Sequence, residues 1–199
     1  MSFIDLAVAC LKQDGVLLAP TDTHYALAIS PYSLPACRRL RSIKQSDEQA
    51  TLCVAQPQQL DPWVTLNVWQ RQQVQALAQR YWPGPLKLLL PKAAEVPEHQ
   101  LITDGAIAVV CTNNKLLNAT IAALGHPLIV LPATRAGSGT GLVSLTAARD
   151  SYGDLVDMVI PSNNRNVCSW ATTFVSLLHN RLDVLRRGDV VIEPELCVA

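Results

Sequence analysis

Apolar runs of strand length alternate along the chain with stretches of helical period, the pattern of an α/β domain in which helices pack on a sheet. Ile4, Val8 and Leu11 share one helical face and Asp14-Gly15 supplies a stop, so a helix is predicted over about residues 3 to 13. The run Val16 to Ala19 predicts a strand. After the loop Pro20 to Tyr25 come a short apolar segment, a helix from about Leu34 to Ile43 and a strand at Thr51 to Ala55. Residues 56 to 80 are rich in Gln, yet Val68, Val74, Leu77 and Ala78 give them a helical face, so a solvated helix is predicted from Val68 to Arg80. Trp82-Pro83-Gly84-Pro85 stops it ahead of a buried strand at Leu86 to Leu90.

Further strands are predicted at Ile107 to Cys111, Leu128 to Leu131, Val156 to Ile160, Thr173 to Leu177 and Leu182 to Leu185, with helices near 115 to 124 and 144 to 150. Late strands are joined by connections too short for helical crossovers, so parallel and antiparallel pairs should mix in one sheet. No internal repeat or dividing linker is visible, and one domain over residues 1 to 199 is the expectation.

Composition narrows the function classes. Hydrophobic types make up 49% of the chain and charged types 16%, too apolar and too weakly charged for a disordered protein. Sixteen Lys and Arg balance sixteen Asp and Glu, which removes the global footprint of a dedicated nucleic-acid binder and leaves room for a local basic groove. No window approaches the roughly 18 to 20 apolar residues of a membrane span, and Asp5 interrupts the apolar N-terminal stretch before Cys10, so a cytoplasmic location is expected. The six cysteines are scattered, with no C-x-x-C pair and no zinc-ligand spacing, and read as reduced, mostly buried residues.

Two segments hold candidate chemistry. Pro20-Thr21-Asp22-Thr23-His24-Tyr25 packs two hydroxyls, a carboxylate, an imidazole and a phenol at the end of a buried strand. It reads as a small-ligand loop or as an ordinary turn with Asp22 capping a helix. Ala136-Gly137-Ser138-Gly139-Thr140-Gly141 reads as a phosphate cradle or a surface loop, without the lysine of a P-loop. Of the four histidines only His24 has a polar neighbourhood; His99, His126 and His179 read as surface or structural.

The segments from Gly15 to Leu27 around Pro20-Thr21-Asp22-Thr23-His24-Tyr25, Arg41-Ser42-Ile43-Lys44-Gln45, Trp82-Pro83-Gly84-Pro85-Leu86 and Leu185-Arg186-Arg187-Gly188 fall in the order and spacing of the YrdC/YciO family. The chain resembles that family over about residues 4 to 190, most closely its divergent YciO-type branch. The resemblance implies a twisted, mixed open sheet with helices around a concave pocket. It also implies a nucleotidyltransferase of the L-threonylcarbamoyladenylate synthase type, which joins L-threonine, bicarbonate and ATP into threonylcarbamoyl-AMP, releases pyrophosphate and feeds the t6A modification of tRNA. By the same resemblance Thr21, Thr23, Tyr25 and Thr172 line the substrate side, while Lys44, Arg135 and Arg186 meet the nucleotide. Mg²⁺ accompanying ATP, and double-stranded RNA as a partner, are further implications.

The family pattern is broken at several of its polar positions. Ser46 stands where its K-x-R has arginine, Val110 replaces an arginine, and Ala133 and Arg135 stand where it has S-x-N. Charge-assisted hydrogen bonds contribute about 1.5 to 3 kcal/mol each, so these losses amount to roughly 4 to 9 kcal/mol of binding. The expectation is a divergent member with weak or lost synthase activity. The alternative is a non-catalytic paralogue that binds a nucleotide or structured RNA, and a third reading is carbamoyl-type transfer involving another small molecule, with Arg135 and His24 reshaping the pocket.

Overall fold

The computed structural model of the chain describes residues 2–45, 48–96, 102, 105–134, 144–161 and 171–193. These residues form helices α1 (Phe3–Lys12), α2 (Leu34–Lys44), α3 (Val68–Tyr81), α4 (Lys115–Leu124) and α5 (Leu145–Tyr152). The strands are β1 (Leu17–Pro20), β2 (Tyr25–Ile29), β3 (Thr51–Val54), β4 (Leu86–Pro91), β5 (Ala106–Cys111), β6 (Leu128–Pro132), β7 (Met158–Val159), β8 (Thr173–Ser176) and β9 (Asp183–Arg186). Each helix starts at a Ser or Asn whose side chain accepts from a backbone N–H one turn on: Ser2, Ser33, Asn67, Asn114 and Ser144. These caps satisfy donors that the helix itself leaves unpaired.

The strands make one mixed sheet in the order β7-β1-β2-β6-β3-β5-β4-β8-β9. β7 with β1, β3 with β5 and β4 with β8 are parallel, and the other neighbours are antiparallel. The predicted mixture therefore holds, with adjustments in length and register. The strand expected over Val156 to Ile160 keeps only two residues as β7, because it is a sheet edge with a partner on one side. β9 lies one residue later than the sequence pattern suggested.

α3 corrects its predicted face. Val68 is 75% exposed, whereas Gln70 and Gln73 are buried with Val74, Leu77 and Ala78. Gln70 can be buried because its side chain is satisfied at both ends: Oε1 accepts from Asn67 N at 3.0 Å and Nε2 donates to the Leu177 carbonyl at 2.9 Å.

One sheet face is covered along its length. Ala36, Cys37 and Leu40 of α2 and Ala148 and Tyr152 of α5 pack on Leu18, Leu27, Ile29 and Leu131. Val74, Leu77 and Ala78 of α3, with Trp63 and Trp82, pack on Leu52, Leu86, Leu88, Leu90 and Val109. On the other face Ala7 and Leu11 of α1 and Leu117 and Ile121 of α4 cover Leu17, Ala28, Cys53, Leu128 and Val130. Beyond them β4 and β5 alternate buried with half-buried residues, and Lys87, Leu89, Ala108 and Val110 are among the half-buried ones. Among the described residues, helices thus cover one half of that second face, and a cavity opens beside them.

Candidate functional site

β1 and β2 form a hairpin whose last strand pair is Pro20 with Tyr25, leaving Thr21 to His24 as its loop. Thr21 closes the loop on itself. Its N–H donates to the His24 carbonyl at 2.8 Å, its hydroxyl donates to the same oxygen at 2.5 Å, and its Oγ1 accepts from His24 N at 3.2 Å. The Asp22 carboxylate accepts from Asn113 N at 2.8 Å and the Thr112 hydroxyl at 3.2 Å, tying the loop to the segment that starts α4. Asp22 therefore caps no helix of its own. Burial pushes its carboxyl above the usual range, partly offset by these two donors and by the Asn114 backbone N–H.

The closed turn directs Thr23 inward, where it is 2% exposed. Its Oγ1 lies 2.8 Å from His24 Nδ1 and 3.3 Å from Thr172 Oγ1. The Thr172 carbonyl in turn accepts from Arg186 Nε at 3.0 Å and Nη2 at 2.8 Å. Neighbouring Thr173 donates its hydroxyl to the Val190 carbonyl and accepts from Gly188 N and Val190 N. A Cβ at Gly188 would lie 1.9 Å from the Ala171 carbonyl oxygen, so glycine after Arg186-Arg187 is a steric requirement of the segment that carries Thr172 into β8. The Trp82-Pro83-Gly84-Pro85 turn is built in the same way. Trp82 Nε1 donates to the Leu86 carbonyl at 2.7 Å, Gly84 N donates to the Cys111 carbonyl at 2.9 Å, and a Cβ at Gly84 would meet the Tyr81 oxygen at 2.7 Å.

Between these pieces lies a small cavity open to solvent. Thr21, Thr23, Thr51, Thr112 and Thr172 line it with hydroxyls, Asp22, His24 and Lys87 with ionisable groups, and Ala26, Cys53, Val110 and Val130 with apolar surface. Burial first, then the positive charges of Lys87, Arg186 and Lys44, lower the His24 imidazole to about 4. It is neutral at pH 7. Burial, then Arg186, lowers the Lys87 ammonium to about 8. The site is thus electropositive through lysine and arginine, with a neutral imidazole as a hydrogen-bonding group.

Of the residues singled out in the sequence, Thr21, Thr23 and Thr172 come together in this cavity. Tyr25 does not line it: alternation along β2 sends Ala26 to the cavity face and packs Tyr25 with Leu27 on the opposite face. Lys44 lies behind the wall at Pro132. Its side chain is 2% exposed, donates to the Pro132 and Thr134 carbonyls at 2.7 and 2.8 Å, and pairs with Glu48 at 3.2 Å. Three partners occupy the three protons of the ammonium. Arg186 reaches the site through the Thr172 carbonyl. Ser46, Arg135 and the glycine-rich segment 136–141 lie outside the described residues. Lys87 was not singled out in the sequence, although a lone charge inside the apolar run Leu86 to Leu90 was its visible signal.

The chain matches the Sua5/YciO/YrdC family model, described as "Telomere recombination", over residues 9–188. It belongs to this family. It is similar to the threonylcarbamoyl-AMP synthase of Marinobacter nauticus, with 29% identity over 169 residues that span 80% of this chain and 85% of the relative. Among solved structures it shares the fold of E. coli YciO, with a TM-score of 0.80 and 23% identity over 96% of this chain and 91% of that one. It also shares the fold of P. abyssi Sua5 complexed with L-threonine, with a TM-score of 0.82 and 23% identity over 93% of this chain. There it spans about half of the other protein, 54% of its length. The mixed α/β architecture with an open twisted sheet is thus that of the family. Among the described residues no helix is long and apolar enough to cross a membrane.

Proposed function

We propose that the threonine-lined cavity binds ATP and L-threonine and that the protein forms threonylcarbamoyl-AMP slowly, as a divergent member of its family acting in one domain. The observation that carries this reading is the meeting of Thr21 and Thr23 with Thr172 beside a neutral His24 that three cations surround. Hydroxyls that both donate and accept suit an amino acid, and a field of positive charge suits phosphates. In the balanced reaction the threonine ammonium first loses a proton, its nitrogen bonds the bicarbonate carbon as a C–O bond breaks and water leaves, a carbamate oxygen then bonds the α-phosphorus of ATP, and pyrophosphate leaves with the electrons of the broken P–O bond. Catalysis of such a step consists of positioning and charge neutralisation. Lys44 contributes by tethering Pro132–Thr134, the segment that leads into Arg135, and Arg186 by fixing Thr172. Any Mg²⁺ arrives with the triphosphate, as part of the substrate.

Val110 presents only methyl groups to the cavity and Ala133 is a buried methyl, which favours slow turnover and supports a second reading, a paralogue that binds a nucleotide or double-stranded RNA without chemistry. Pyrophosphate release in the presence of ATP, bicarbonate and L-threonine separates the two. The rate should fall at least about a hundredfold below that of a family member with the full arginine set, measured in the same assay. Equal rates would overturn the divergence. ATP binding with no pyrophosphate release would support the non-catalytic reading, and retention of double-stranded RNA without ATP binding would move the function to RNA. A cytoplasmic location is part of the same proposal and is checked by fractionation.

A further inference from the structure

Among the described residues, Lys87 stands in the cavity without a hydrogen-bond acceptor. It projects from β4, and among the described residues lining the cavity it is the one lysine or arginine. Its ammonium lies 5.4 Å from the centre of the Phe174 ring, and no carboxylate or carbonyl among the described residues accepts a hydrogen bond from it. Glu48, the acid whose charge favours the protonated form of Lys87, is paired with Lys44 instead. Arg186, two strands away on the same rung, repels it: strand register aligns Val110 of β5, Lys87 of β4, Phe174 of β8 and Arg186 of β9. A half-buried charge beside another cation, with an aromatic face as its described partner, is a costly arrangement for a folded chain. A bound oxyanion removes the expense, because it supplies both the missing acceptor and the opposite charge.

We propose that Lys87 is the group in this cavity that receives an oxyanion of the bound substrate, a phosphoryl or carboxylate oxygen, and that it supplies across the β4–β5 rung the positive charge that Val110 does not. The inference rests on the cavity being the ligand site argued above and adds to it a binding residue. Directly opposed residues of an antiparallel pair project from the same face about 5 Å apart. A cation at either position therefore reaches the same volume. The depressed Lys87 pKa agrees with such an unpartnered position and brings its loss of charge into an accessible pH range.

The test is calorimetric titration of the full chain with three probes: ATP, inorganic pyrophosphate and L-threonine. Lys87→Met keeps the length of the stem and removes the charge. It should weaken the probe whose oxyanion meets Lys87 by about ten- to a hundredfold and raise the melting temperature of the unliganded protein, as relief of an uncompensated charge requires. Loss confined to ATP and pyrophosphate assigns the phosphoryl source, and loss confined to L-threonine assigns the carboxylate. Lys87→Arg should keep the affinity. Adding Val110→Arg to Lys87→Met should restore it from the opposite strand. In the unaltered protein affinity should fall as pH rises through about 8, and in Lys87→Arg it should stay level over the same range.

Unchanged affinity for all three probes in Lys87→Met would overturn the role of Lys87 and leave the ligand site standing. Pyrophosphate binding that depends on Lys87, without any added affinity for ATP or L-threonine, would keep the role and overturn the synthase reading. An unaltered protein that binds none of the probes would overturn both.

Discussion

His24 is a half-buried imidazole in contact with one hydroxyl, and its environment makes protein stability depend on pH. Burial and three cations lower its folded pKa to about 4 from an ordinary 6.5, so between those values the unfolded chain binds the proton and the folded chain does not. This group therefore costs nothing above pH 6.5 and withdraws stability as pH falls toward 4. The full penalty is about 3 kcal/mol by linkage. Denaturant titrations at pH 7, 5.5 and 4 should show that loss in the unaltered protein, and His24→Gln should flatten it between pH 6.5 and 4. An equal slope in both forms would place the acid sensitivity elsewhere. Lys87 acts in a separate window. Its charged form is penalised in the folded state below about pH 8, and the penalty lifts as pH rises from there toward the ordinary lysine value, so the two groups are told apart by pH alone.

At the scale of elements, the turn after β9 fixes where Thr172 stands. Gly188→Ala would drive a methyl group into the Ala171 carbonyl and the Thr173 amide, both of them backbone, so the strand has to move. A loss of about 3 kcal/mol is expected, read as a lower denaturation midpoint, with weaker ligand binding in the protein that still folds because Thr172 shifts away from Thr23. A midpoint within a few tenths of a molar of the unaltered protein would refute the crowding. The elements themselves were largely legible in the sequence, because apolar period and Ser or Asn caps are local signals: Leu17–Pro20, Leu34–Lys44 and Val68–Tyr81 lie within a residue of their predicted bounds. What the sequence hid was long-range. The burial of Gln70 depends on a carbonyl 107 residues away, and nothing in residues 68–81 announces it. The site divides the same way. Thr21 and Thr23 were legible as a polar loop at a strand end, whereas the use of Lys44 by two carbonyls about 90 residues on, and the facing of Tyr25 away from the cavity, follow from tertiary packing and strand parity.

For the whole molecule, the sheet order joins the first hairpin to the last strands only through the middle of the chain. Thr23 meets Thr172 across 149 residues of sequence, and Arg186 comes later still. During synthesis at about 5 to 20 residues per second, the Thr21–His24 turn leaves the ribosome roughly 10 to 30 s before its partner. Through that interval the turn has its own internal hydrogen bonds but lacks Thr172, so the cavity is incomplete. Closing so long a loop is also slow, and its contacts form late in folding. A ligand of the finished cavity therefore stabilises a state that lies beyond the folding barrier. In stopped-flow experiments with and without ATP at saturating concentration, the refolding limb should coincide and the unfolding limb should drop by the full binding contribution. A faster refolding limb would mean that the cavity assembles before the barrier. A ligand of this cavity would then act as a brake on unfolding, prolonging the life of chains already folded without helping new ones to fold.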